Sequence, residues 1–100
     1  MAWLIVSNDN EYGPRIRADQ AVMDAHWAYE LANTDVILCA GSLRTDDGNT
    51  KTGSVLLLDL PTRADAEAFF ANDPATKAGM RGETEIRWLN VAILDREEQP

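Results

Sequence analysis

His26 is the single histidine of the chain, set in VMDAHWAYE at residues 22–30 among aliphatic and aromatic neighbours. Its side chain type is the one whose unperturbed pKa suits proton transfer near neutral pH. At about 100° per residue, His26, Glu30 and Asn33 fall on one polar stripe of a helix. Val22 and Tyr29 border that stripe on one side, Met23 and Trp27 on the other. In the plainer of two readings, His26 is half exposed and pairs weakly with Glu30 one turn on. In the sharper one, the stripe lies at a cleft mouth and His26 moves protons. The residues by themselves favour the plainer reading.

Asp73 poses the same choice. Asp73 followed by Pro74 reads as a helix N-cap with proline at the first helical position, and capping alone accounts for it. A carboxylate can instead orient an imidazole and fix its tautomer, but nothing in the spacing brings Asp73 to His26. Ser54, at the end of TKTGS (residues 50–54), offers a hydroxyl to a ligand or is a plain loop exit, with Gly53 suited to a tight approach. GNTKTG has the wrong glycine spacing for a phosphate loop, and no helix follows it. Asp46, Asp47 and Gly48 suggest a turn and do not complete a calcium loop. One histidine and one cysteine rarely make a zinc set. No metal and no cofactor are expected. Cys39, in the apolar run VILCAG, reads as a buried, inert thiol.

The elements that must position these groups follow from hydrophobic periodicity and turn chemistry. AWLIVS (2–7) predicts a buried strand, ended by the turn-rich NDNEYGP. Asp19 is a plausible N-cap for a helix running to about Leu31, closed by ANTD. DVILCAGSL (35–43) and SVLLLDL (54–60) predict two more strands around the polar loop RTDDGNTKTG. Thr62 and Asp65 have capping-box spacing before RADAEAFFAN. Ala64, Ala68 and Phe69, with Phe70 at the edge, give that helix its expected core side. A short helix after Asp73 stops at Gly79, TEIRWLNVAIL (84–94) predicts the last strand, and DREEQP a solvated tail.

The order is βαββαβ with a short extra helix. Its most economical packing is a ferredoxin-like α+β fold: an antiparallel four-stranded sheet with the helices on one face. Residues 1–95 form one expected domain and 96–100 the tail. Both faces of the third strand are mostly apolar, so a second copy of the chain is expected to cover the outer face, giving a homodimer.

One hundred residues allow a single modest core. Nine basic against seventeen acidic residues leave a net charge of −8. That balance argues against a nucleic-acid partner and against polybasic membrane contact. No run approaches the roughly 20 apolar residues of a spanning helix. The opening MAWLIVSNDN lacks the features of a secretory signal, and a cytoplasmic setting is expected.

Taken in order, WLIVSND, AHWAYEL, LCAGSL, TGSVLLLDL, AFFANDPATKAGM and EIRWLNV resemble the YCII-type domain proteins over nearly the whole chain. Those are small dimeric ferredoxin-like proteins of the dimeric α/β-barrel type, related in fold to muconolactone isomerase. The resemblance implies that His26 and Asp73 form an active-site pair and that Gly41 and Ser54 line the same cleft. Three positions depart from the family pattern. Met23 stands where an arginine is frequent, Ala75 where an aromatic is usual, and Ser42 where a proline is common. The first removes an anion clamp, and the second is expected to open the pocket wall. The implied function is proton-transfer chemistry, elimination or isomerisation of a small oxygen-rich ligand. The rival is a non-catalytic dimeric module that binds a small molecule or contacts an enzyme.

Overall fold

A computed structural model of the protein describes residues 2–100. Strand β1 (Ala2–Asp9) is followed by two helices, α1 (Gly13–Arg17) and α2 (Gln20–Ala32). A hairpin of β2 (Ile37–Arg44) and β3 (Lys51–Leu58) comes next. Then come α3 (Arg63–Ala71), α4 (Pro74–Lys77) and β4 (Arg81–Leu89), and a small hairpin of β5 (Ile93–Leu94) and β6 (Glu97–Glu98) ends the chain. The main sheet has the order β2-β3-β1-β4, with every neighbouring pair antiparallel. This is the ferredoxin-like arrangement the periodicity predicts.

Register decides what each face carries. Ile5 lies opposite Leu56 and Ile86, and Ser7 opposite Ser54 and Thr84. Because side chains alternate along a strand, this set points to the helices. Ile5, Leu56 and Leu58 form the main buried cluster with Ala66 and Phe70 of α3. The alternate set, with Leu4 opposite Leu57 and Val6 opposite Val55, forms the other face. A second small cluster, Ile16, Ala75 and Met80, ties α1 to α4 and is joined by Val22 of α2.

Local chemistry fixes the helix ends. Asp19 accepts hydrogen bonds from the Ala21 and Val22 N–H groups, and Thr62 from that of Asp65. Gly79, at φ +89°, turns the chain out of α4 as expected of a helix-ending glycine. Gly53 is required for steric reasons, since a Cβ there would lie 2.5 Å from the Ser7 carbonyl oxygen. Among the described residues no helix is long and apolar enough to cross a membrane.

Several expectations need correction. The loop expected through residues 8–14 ends early, at Gly13, where α1 begins with Pro14 in its first turn. The buried face of α3 is Ala66 and Phe70, with Phe69 partly buried, while Ala64 and Ala68 are exposed. Alanines lie all round that helix, and the rings bury far more area than a methyl group, so they set its rotation. Cys39 is exposed, because β2 is an edge strand. The last strand spans Arg81–Leu89 rather than 84–94, and part of the expected tail pairs as β6 with β5. Asp95 and Arg96, both at positive φ, make the turn between them.

Candidate active site

Helix α2 presents His26. It carries no buried residue, and it is held from one side. Val22 packs on the Ile16–Ala75–Met80 cluster, and the Tyr29 hydroxyl donates to the Phe69 carbonyl at 2.7 Å. The opposite side faces a cleft of about 360 Å³ between α2 and the β2–β3 half of the sheet. Met23 and Trp27 line it from the helix, and Gly41, Ser42, Ser54 and Leu56 from the strands. The polar stripe of α2 therefore marks the border between a packed side and an open one.

Asp73 meets His26 from α4. As N-cap, its Oδ1 accepts the Ala75 N–H at 2.9 Å. His26 Nδ1 lies 2.8 Å from Oδ1 and 2.9 Å from Oδ2, and Arg81 Nη2 donates to Oδ2 at 2.9 Å. Capping and imidazole binding, alternatives in the sequence, are done by one carboxylate. Asp73 is only 1% exposed, and burial is the largest influence on it, acting to raise its pKa. The His26 and Ala75 hydrogen bonds and the His26 and Arg81 charges outweigh burial and hold the carboxyl below its usual range.

The other ring nitrogen of His26, Nε2, lies 2.6 Å from Glu30 Oε1 in an ion pair across one helical turn. Of the plainer reading the Glu30 contact holds, but the His26 side chain is largely buried, 14% exposed, rather than half exposed. Carboxylates on both nitrogens raise the His26 pKa from 6.5 to about 9. Hydrogen bonding by Asp73 is the largest cause and the contact with Glu30 the next, with burial opposing them. At neutral pH the ring is an imidazolium.

Behind this pair the network continues through two arginines. Arg81 Nη1 donates to Ser54 Oγ at 2.9 Å, and its Nε to Thr76 Oγ1 at 3.1 Å. Arg17 Nη2 reaches Ser54 Oγ at 3.4 Å and the Gly53 carbonyl at 3.1 Å, while Arg17 Nε is 2.6 Å from Asp9 Oδ2. Ser54 Oγ accepts twice, so the hydroxyl proton is what it has left to give a ligand. Gly41 has open space around it: a Cβ there would meet nothing within 4 Å.

All four residues singled out in the sequence lie at this site. His26 and Asp73 are in direct contact, and Gly41 and Ser54 line the cleft. Asp9, Arg17 and Arg81 were missed. Arg81 precedes the expected strand, and Arg17 closes a helix the sequence did not suggest. Pro14 was the available signal for that helix. Arg17 and Arg81 both line the cleft, beside Met23. Ala75 does not open the wall, being fully buried against Ile16 and Met80. Among the described residues no group of three or more His, Cys, Asp or Glu side chains is arranged to hold a metal ion.

The four-stranded antiparallel sheet with its helices on one face puts the chain in the class of small ferredoxin-like α+β proteins. Within it the chain belongs to the YCII-related domain family, whose match spans residues 1–90. Among solved structures it is similar to 5-chloro-2-hydroxyhydroquinone dehydrochlorinase (TftG) from Burkholderia phenoliruptrix AC1100, in complex with 2,5-dihydroxybenzoquinone. The two share 28% identity and a TM-score of 0.78, covering 90% of this chain and 94% of that one. No curated protein matches the chain significantly.

Proposed function

We propose that this protein is a cofactor-independent enzyme that eliminates from, or isomerises, a small oxygenated organic molecule by proton transfer at His26. The observation that carries the reading is the His26 ring, held at Nδ1 by both oxygens of Asp73 on the border of the cleft. As an imidazolium at neutral pH, the ring donates first, from Nε2 to a leaving group or ligand oxygen. The neutral ring then accepts a proton at the same nitrogen, while Asp73 keeps the other N–H in place. Ser54 holds a ligand oxygen, and Gly41 leaves room for it. The dehydrochlorinase activity named for the similar protein supports elimination as the reaction class.

The test is chloride release from 5-chloro-2-hydroxyhydroquinone by the wild type, His26→Asn and Asp73→Asn. The His26 variant is expected to lose about 10²- to 10⁴-fold in rate, and equal rates in all three proteins would end the reading. Binding of 2,5-dihydroxybenzoquinone without turnover would instead mark a non-catalytic binding module.

The working form in this proposal is a homodimer, with a second copy covering the sheet face that carries Leu4, Val6, Val55 and Leu57. Cys39, in register with Leu57, lies on that face and reports on it. Its unpaired thiol suits a reducing cytoplasm. Light scattering gives the mass, and slower Cys39 labelling at high protein concentration is the expected companion result.

A further inference from the structure

The cleft wall gathers cationic side chains in a strongly acidic protein. Against a net charge of −8, Arg17, Lys51, Arg81 and His26 line the cleft, with only Asp24 and Glu30 opposing them. Asp9 and Asp73, which pair with the arginines, stand behind the wall and do not line it. Asp24 is engaged by the Gln20 amide at 2.7 Å.

That leaves Glu30 as the anion held against the reacting nitrogen. The two carboxylates on His26 are held very differently. Asp73 is fixed by Ala75, Arg81 and both of its contacts with the ring. The Glu30 carboxylate has one tie, Oε1 to Nε2. Among the described residues it makes no other hydrogen bond or ion pair.

We propose that Glu30 is an internal stand-in for the ligand: an anionic oxygen compound (an ionised phenol, enol or carboxylic acid) displaces its carboxylate and takes over the Nε2–H of His26. The inference rests on the reading of this cleft as the site of proton transfer, and it adds the charge of the substrate. An anion that replaces Glu30 exchanges one charge-assisted contact for another. A neutral ligand offers no charge-assisted contact in exchange and leaves Glu30 on the ring, so the arrangement selects against it at this nitrogen. The Ser54 hydroxyl and the Lys51 ammonium, both in the cleft wall, are donors for further ligand oxygens.

The experiment is calorimetric titration of the wild type, Glu30→Gln, Glu30→Ala and Asp24→Asn near pH 6, where His26 is protonated. The probes are 2,5-dihydroxybenzoquinone, a vinylogous acid ionised under those conditions, and neutral hydroquinone. Both Glu30 variants are expected to bind the quinone about ten-fold more tightly than the wild type. Hydroquinone affinity and the Asp24→Asn variant should each change less than about three-fold, since neither bears on the displaced contact. Circular dichroism checks that the variants keep their fold.

Unchanged or weaker quinone binding by both Glu30 variants overturns the proposal, as does an equal gain for hydroquinone or Asp24→Asn. So does a failure of the wild type and variants alike to bind the quinone. The two readings fail separately. Chloride release that still needs His26, with no Glu30 effect on binding, removes the stand-in and keeps proton transfer. A Glu30 effect on binding with His26 dispensable for chloride release does the reverse.

Discussion

Two helices cover the same face of the sheet and do opposite things with it. Helix α3 puts Ala66 and Phe70 into the main core. Helix α2 is longer and equally well capped, yet buries no residue and leaves a cleft beneath it. Capping makes each a helix, and the direction of its large apolar side chains decides which of them closes on the sheet. Trp27 and Leu31 of α2 are exposed, whereas Phe70 of α3 is buried. Where α3 contributes rings, α2 contributes His26, Glu30 and a half-exposed Trp27. One helix serves mainly stability, the other carries one side of a polar network along an open cleft.

The strongest way to break this contrast is through α3. Phe70→Ala should destabilise the fold by about 3–4 kcal/mol, from lost burial and the cavity left behind, as read by urea unfolding. If α3 proved as dispensable as the open side of α2, the division between the helices would fail.

Next in size is Arg81→Met, which takes one cation from the buried Asp73 carboxylate and also uncovers the Phe70 ring 4.8 Å away. A loss of about 2 kcal/mol is expected, below that of an isolated buried pair because His26 and Ala75 remain as partners. This variant joins the two regions, so it should lower both stability and quinone affinity.

A third effect follows pH. The His26 pKa is about 9 in the folded protein against 6.5 as its ordinary value. The folded state therefore holds the proton more tightly. Its stabilisation is complete below about pH 6.5 and disappears as pH rises through about 9, with a ceiling of about 3 kcal/mol. Asp73, whose pKa is lowered, works in the opposite sense and loses its contribution in acid. The melting temperature should fall between pH 6.5 and 9 in the wild type, and clearly less in His26→Gln. Parallel curves would show that the ring is not held as described.

The smallest expected change sharpens the comparison from the other side. Trp27→Ala, at a side chain 59% exposed, should alter unfolding free energy by no more than about 0.5 kcal/mol. It should nevertheless weaken quinone binding measurably, since Trp27 lines the cleft.

The α3 region was largely legible in the sequence: Thr62 announced its cap, and short apolar runs with β-branched members announced the strands beneath it. Its rotation was misjudged because alanines on every side carry little directional information. Around α2 the stripe of His26 and Glu30 was legible as a face, but its partner was not. Asp73 reaches His26 only because α4 packs beside α2 through Val22 and Ala75, a tertiary fact that periodicity does not encode. The family resemblance supplied that pairing. It did not supply Arg17 and Arg81, whose positions depend on a five-residue helix and on where β4 begins. Cys39 was misread for a related reason: an apolar run signals a buried strand, and an edge strand can carry the same run.

Asp9, Arg17, Ser54, Arg81, Asp73, His26 and Glu30 form one unbroken series of contacts. Its three formal negative charges balance its three positive ones once His26 is protonated. For evolution or for an engineer, the series behaves as one inherited unit. A single charge reversal leaves its neighbour stranded, whereas swapping adjacent members together conserves the balance. Sequence change here should therefore come in correlated pairs, and new specificity should arise more readily at Met23, Trp27 and Ser42, which border the cleft without belonging to the series.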